Sequence, residues 1–275
     1  MTEGRPARAG RKRWEHFDYE ERDEVATLTF SRPERLNALT FDVYADIREL
    51  TDSLRRRQDV RVLVIRGRGR GFCSGGDVDE IIAELLKMGT RDVYEFARMT
   101  GACVRNLREI PQPVIAAVNG VAAGAGAVLA AAADIRVLAD AASFRFLFTS
   151  VGLSGGDMGI CWLLPRIVGL GRATEVLLLG GKITSQEALA WGLASRVVAD
   201  DQLDAAVTDY VARLKELAPW GLAMTKEMVN RAASTDYSSA IEMEAFTQTL
   251  LMTAQDFREF HAGFSGKRKP VYRGR

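Results

Sequence analysis

Polar and apolar residues alternate along 24–30 (EVATLTF), the period of a strand with one buried face. From 40 to 57 the period changes: Phe41, Val43, Tyr44, Ile47, Leu50 and Leu54 recur at helical spacing. RVLVIRG (61–67) is a short apolar run that ends in a glycine-rich loop, GRGRGFCSGGD. A helix is expected over 78–87, with Asp77 and Glu80 forming a capping box. Another is expected over 91–109, stopped by Pro111 and Pro113. VIAAVN (114–119) and DIRVLA (134–139) read as strands, and 143–153 as including a strand or extended segment. A helix is expected to start near Met158 and break at Pro165. Residues 172–179, 185–191 and 201–217 read as helices, and 219–264 as helix without strand. Strand, small-residue turn and helix recur in that order, which predicts an α/β core followed by a helical extension.

One uncharged run needs a decision. Residues 114–133 are long enough to span a bilayer. They consist largely of alanine and glycine rather than leucine and isoleucine, and Asn119-Gly120 marks a turn inside the run. A strand, a tight turn and a buried helix fit better, so no membrane segment is expected. The GAGAVL segment is not a dinucleotide fingerprint either, because no third glycine and no acid about twenty residues on complete it.

Charge changes the picture little. The chain carries 37 basic and 36 acidic residues, which argues against nucleic acid or anionic membrane as the main partner. The one basic run, RPARAGRKR (5–13), reads as a solvated arm, with phosphate binding as the lesser alternative. Three widely spaced cysteines and two histidines match no disulfide framework, metal site or Ser-His-Asp triad. With no signal peptide visible, a reducing, cytoplasmic setting without metal or separate cofactor is expected.

Chemistry is expected at two junctions of the same design, VLVIRGRGRGFCSGGD and VIAAVNGVAAGAG. Each delivers small residues from a buried strand to a helix start, where free N–H groups and a partial positive charge sit. Two such junctions meeting would give two donors to one oxygen, an oxyanion hole. Either junction alone specifies nothing.

Together with RPERLNALT, LLPRIVGLGRATEVLLLG, ITSQEALAWGLASRVV and the terminal KRKP, these motifs resemble the enoyl-CoA hydratase/isomerase (crotonase) superfamily, in unbroken order from about 20 to 270. The resemblance implies a ClpP/crotonase-like α/β fold of repeated ββα units with a C-terminal helical region. The expected division is a basic flexible arm (1–17), a core (18–200) and a helical oligomerisation region (201–275). It also implies trimers or hexamers and an acyl-CoA thioester substrate in fatty or aromatic acid metabolism. By resemblance the oxyanion amides are those of Gly76 and Ala125, and only the backbone of Ala125 is needed. Ser74, Gly75, Asp77, Val78, Asp79 and Gly124 would line the thioester and pantetheine. Ala38, in NAL (37–39), would lie beside the adenine. Phe264 and Lys267 would reach CoA from a neighbouring subunit. Asp79 stands where many relatives carry lysine.

Family hydratases hold water between two glutamates. The matching positions here are Val128 and Phe148, and neither can transfer a proton. The acid in the right neighbourhood is Asp157. A related dehalogenase carries its aspartate nucleophile near this position, and the match to its base histidine is Arg105. Asp157 therefore reads as an N-cap of the next helix, as a proton carrier in a pocket with Phe146, Phe148, Met158 and Trp162, or as both. Glu242, Glu244 and His261 read as surface or interface residues, and Asp134 as structural. The expected activity is that of an enoyl-CoA hydratase-like lyase. Isomerase, C–C hydrolase or lyase, decarboxylase and thioesterase remain open, as does an acyl-CoA-binding oligomer without catalysis.

Overall fold

The structure is a computed structural model and describes residues 14–274. Most of the arm expected at 1–17 lies outside the described residues. Among the described residues ten strands form two sheets. The larger runs in the order β1 (Asp18–Arg22), β2 (Val25–Phe30), β3 (Val62–Gly67), β5 (Val114–Val118), β7 (Ile135–Ala139), β10 (Arg196–Val198). The smaller runs β4 (Gly71–Cys73), β6 (Val121–Ala123), β8 (Ser143–Arg145), β9 (Lys182–Thr184). Three times a strand of the large sheet hands the chain directly to a strand of the small one: β3 to β4, β5 to β6 and β7 to β8. These are the ββ halves of the expected repeat.

The helices are α1 (Phe41–Leu54), α2 (Ala83–Leu85), α3 (Thr90–Glu109), α4 (Ala125–Ala132), α5 (Ile160–Val168), α6 (Leu170–Leu179) and α7 (Ser185–Ala190). They are followed by α8 (Leu203–Lys215), α9 (Pro219–Ala232), α10 (Tyr237–Thr253) and α11 (Gln255–Ser265). No helix among the described residues is long and apolar enough to cross a membrane.

The strand patterns follow from what covers each face. β2 alternates and turns Ala26, Leu28 and Phe30 inward. β3 and β5, in the middle of the sheet, are buried on both faces and read as continuous apolar runs. One face packs against α1, α3 and α4; on the other, Val62, Val64, Ile115 and Val137 meet Leu203, Ala206 and Val207 of α8. Every residue of α4 is buried, which is why it is built of alanine and glycine. Its end is tied to the C-terminal helices by Lys226 of α9. That ammonium lies 2.8 Å from the Asp134 carboxylate and donates to the carbonyls of Leu107 and Gln112 at 2.8 and 3.0 Å.

Several local expectations are corrected. β4, β6, β9 and β10 have three residues each, too few to show a period. β1 is an antiparallel edge strand that polar residues concealed. Residues 143–153 yield only Ser143–Arg145 as strand, followed by a 3₁₀ turn at Thr149–Val151. Pro165 sits inside α5 rather than breaking it, and the helix ends at Gly169 (φ 85°). The box at residue 77 is half formed. Asp77 accepts from the Asp79 and Glu80 amides, but Glu80 pairs with Arg32 at 2.8 Å instead of reaching back.

Candidate active site

Parallel pairing brings the two junctions together. β4 pairs with β6, with Gly71 opposite Val121 and Cys73 opposite Ala122, so both strands release the chain at the same edge. Segment 74–77 follows one and Gly124-Ala125 the other. Their contact is backbone on backbone: a Cβ on Gly75 would lie 3.0 Å from the Ala123 carbonyl and 3.4 Å from the Ala125 nitrogen. Gly75 (φ +97°) and Gly124 (φ +50°, ψ −125°) hold conformations that side chains oppose.

Both candidate amides are open. The Leu39 amide donates to Gly75 O and the Asp77 amide donates to Leu39 O, each at 2.8 Å. In such a parallel bridge Gly76 points its own N–H away from the partner strand. Ala125 is the first residue of α4, so its N–H has no acceptor one turn back. Neither amide donates to any group among the described residues.

The loop bearing Ala38 is fastened against this junction. The buried Asn37 side chain donates to the carbonyls of Arg68, Gly71 and Phe72 at 2.9, 2.8 and 3.2 Å. Arg32 lies 3.2 Å from Asp77. Burial pushes the Asp77 carboxyl up, but the Glu80 and Asp79 amides and Arg32 outweigh it and hold the group below its ordinary range. Asp77 is thus an ionised cap. Ser74 donates to Arg35 O at 3.3 Å, and Val78 is exposed at the rim. Asp79 pairs with Arg35 at 3.1 Å. Arg35 therefore supplies a cation beside Asp79, and sequence reading missed it because it lies in another segment.

Val128 and Phe148 are buried, at 0% and 7% exposure, so apolar surface occupies both places where an acid was sought. Asp157 is largely buried, and burial pushes its carboxyl above the usual range while the Met158 amide pulls less strongly the other way. Among the described residues its side chain accepts only from that adjacent amide, at 2.9 Å. It is not the cap of α5, which begins at Ile160 after Gly159 with no side-chain cap. Met158 (φ 51°) and Gly159 (φ 87°) are successive positive-φ residues that separate Asp157 from the start of α5. Phe146 and Met158 are buried in the core with Phe148, whereas Trp162 is more than a third exposed, under the Arg166 guanidinium at 4.0 Å. Arg105 is exposed on α3. Phe264 and Lys267 are exposed at and just after the end of α11.

Tyr44 of α1 lies beside the first junction. Its hydroxyl lies 3.9 Å from the point a Gly76 Cβ would occupy. It is also close enough to Asp157 that the carboxylate, after burial itself and Cys73, pushes the phenol's pKa well above its ordinary value. The sequence shows Tyr44 only as one more member of an apolar stripe. No cluster of three or more His, Cys, Asp or Glu positioned for a metal occurs among the described residues.

Comparison with known proteins settles the lineage. The family model for enoyl-CoA hydratase/isomerase matches residues 20–275. The chain belongs to this family. It is 36% identical over 251 residues to 1,2-epoxyphenylacetyl-CoA isomerase of Escherichia coli (strain K12), covering 91% of this chain and 95% of that protein. A crystal structure from Streptomyces coelicolor A3(2), assigned as an enoyl-CoA hydratase, is 50% identical, with a TM-score of 0.94 and full coverage of both chains. An enoyl-CoA hydratase structure from Polaromonas sp. JS666 is 32% identical with a TM-score of 0.88, covering 94% of this chain and 99% of that one. The chain is thus an acyl-CoA enzyme of the hydratase/isomerase family with the crotonase fold.

Proposed function

We propose that the protein is an acyl-CoA isomerase in which one carboxylate moves a proton under a polarised thioester. The thioester oxygen would sit between the amides of Gly76 and Ala125, where negative charge developing on it is stabilised by about 3 kcal/mol per donor. Asp157 would remove a proton from the acyl chain. The electron pair would move onto the thioester oxygen as an enolate, and the same carboxylic acid would return the proton at another carbon. Ala38 and the Arg35–Asp79 pair would border the CoA, with Ser74, Gly75, Val78 and Gly124 along the pantetheine.

One observation carries this reading: buried Val128 and Phe148 fill the places where two acids were sought, while burial raises the Asp157 carboxyl, whose charge acts on the Tyr44 phenol beside Gly76. Hydration needs a water held and split, whereas isomerisation needs one base. The isomerase activity in the name of the E. coli relative points the same way.

Incubation in D2O with a panel of saturated, enoyl- and aryl-acyl-CoA esters, followed by mass spectrometry, tests it. Deuterium uptake into the acyl chain and conversion of an unsaturated or aryl ester are expected. Uptake should rise with pH through a value above the ordinary aspartate range, because burial raises the Asp157 carboxyl and only its ionised form accepts a proton. Water addition without exchange would favour a hydratase, and tight binding without exchange or turnover would favour the acyl-CoA-binding oligomer.

We also propose assembly into trimers or hexamers, through which Phe264 and Lys267 would reach a neighbour's CoA. Phe246, Phe257, Phe260 and Phe264 leave α10 and α11 with exposed aromatic surface. Light scattering after gel filtration is expected to give three or six times the 30.2 kDa chain mass. Phe246→Asp and Phe264→Asp together are expected to lower that mass and weaken CoA-ester binding; a monomeric wild type would refute the assembly.

A further inference from the structure

Side-chain polar atoms buried without a hydrogen-bond partner mark two places in the molecule. Among the described residues there are five, and those of Asn37, Asp77 and Asn119 lie around the first junction. The other two, Arg55 Nε and Gln112 Oε1, belong to residues that line a separate cavity of about 310 Å³. Gln112 is 3% exposed, and its amide nitrogen donates to the carbonyls of Leu54 and Arg57 at 3.0 and 2.9 Å. Its oxygen is left without a donor, which is rare in protein interiors and calls for a missing partner. The cavity lies among the end of α1, the start of β5, the start of α9 and the tail at 272–274. Residues 55–61 precede β3 and residues 111–113 precede β5, so the cavity is at the opposite end of these strands from the junctions. Strands of six and five residues separate the two ends by roughly 16–20 Å.

The charge around this cavity is one-sided. Arg55, Arg56, Arg57, Arg61 and Arg273 line it, against a single carboxylate, Glu24, which lies 3.9 Å from Lys215. Glu109 and Glu21 neutralise Arg55 and Arg57, at 2.7 and 2.9 Å. Arg61 donates only to the carbonyls of Lys215 and Leu217 among the described residues, and neither Arg56 nor Arg273 has a carboxylate there within ion-pair distance. Three guanidiniums without a counter-charge thus line one cavity. The tail that carries Arg273 is fastened: the buried Asp256 carboxylate accepts from the Arg273 and Gly274 amides at 2.7 and 2.8 Å. α9 adds its positive end, for Ala218 gives no side-chain cap and the Trp220 and Gly221 amides have no acceptor among the described residues. Trp220 and Tyr272 add aromatic surface to the same wall.

We propose that this cavity binds a phosphomonoester carried on a flat ring, the chemistry of a nucleoside monophosphate. Guanidiniums and open helix amides suit the phosphate, and Trp220 and Tyr272 offer faces on which a base stacks. A ribose hydroxyl or an exocyclic amine supplies the donor that Gln112 lacks. The site is distinct from the thioester site proposed above and does not depend on it. Calorimetric titration of the whole chain with AMP, adenosine and inorganic phosphate, with and without excess butanoyl-CoA, tests it. AMP is expected to bind at least tenfold more tightly than adenosine or phosphate, and to raise the melting temperature because it joins α1, α9 and the tail. Arg56→Glu combined with Arg273→Glu, both exposed, is expected to weaken AMP at least tenfold and to leave the ligand-free melting temperature unchanged or higher. Trp220→Leu is expected to weaken AMP and spare inorganic phosphate. No binding of AMP by wild type overturns the proposal whether or not the variants fold. Displacement of AMP by butanoyl-CoA overturns it too, since the nucleotide would then occupy the CoA site, as does AMP binding that survives the double charge reversal. Phosphate bound as tightly as AMP would leave a site for an anion alone and overturn the nucleotide.

Discussion

Asp157→Asn is expected to lower turnover, or deuterium uptake, by about 10²–10⁴-fold, the usual worth of a positioned general base. Binding of a saturated acyl-CoA should change little. The amide oxygen still accepts from the Met158 N–H, so the loop loses no hydrogen bond. The same substitution should stabilise the protein at neutral pH. Burial raises the folded-state pKa of Asp157 above its unfolded value, so folding favours the protonated carboxyl. That contribution is fully present below the unfolded pKa and is lost as pH rises through the folded one. At neutral pH the wild type holds an ionised carboxylate in a place that disfavours it, and asparagine removes the penalty. Thermal unfolding of both proteins between pH 4 and 8 checks this: the variant's advantage should grow with pH. Equal activity would return Asp157 to a structural role. A lower melting temperature at every pH would show that the carboxylate holds the loop together.

The second large effect concerns the contact on which the junctions depend. Gly126 lies in the first turn of α4, where alanine would ordinarily gain about 1 kcal/mol from helix propensity. Here a Cβ would fall 2.3 Å from the Cys73 carbonyl oxygen, 2.7 Å from its Cβ and 2.8 Å from its Sγ. The obstacle is mainly strand backbone, which cannot rotate aside. Overpacking of this kind is unfavourable by about 1–3 kcal/mol or more, which outweighs the propensity gain. Gly126→Ala is expected to lower the melting temperature by several degrees, roughly 2–4 °C per kcal/mol in a domain of this size. Because α4 must shift away from β4, the Ala125 amide moves with it, and acyl-CoA affinity should fall. Gly101→Ala is the control. It too lies within a helix, but its Cβ would meet nothing within 4 Å, so it should be neutral or stabilising. Calorimetry on the two variants decides. An unchanged melting temperature for Gly126→Ala would mean that helix and strand are not locked together.

The long periodic elements were legible because each depends on its own residues. β2 alternates, α1 repeats at helical spacing, and α3 runs from a polar start to Pro111. The junctions were legible because a turn such as Gly75 or Gly124 tolerates little but glycine. The three-residue strands were not, since each exists only through pairing with its neighbour. Asp157 could be named from motif order, but its role as a cap could not be rejected until α5 was seen to begin three residues later.

The amino-acid sequence by itself determined the family, the α/β core with its helical tail, and the two small-residue junctions with apolar Val128 and Phe148 where acids were sought. Those properties are written in local spacing and residue type. Only the tertiary structure decided that the junctions touch, that Arg35 stands beside Asp79, and that the Tyr44 hydroxyl of α1 lies beside Gly76. The reason is physical: parallel pairing of β4 with β6, and burial of one side of α1, bring together groups separated by tens of residues along the chain.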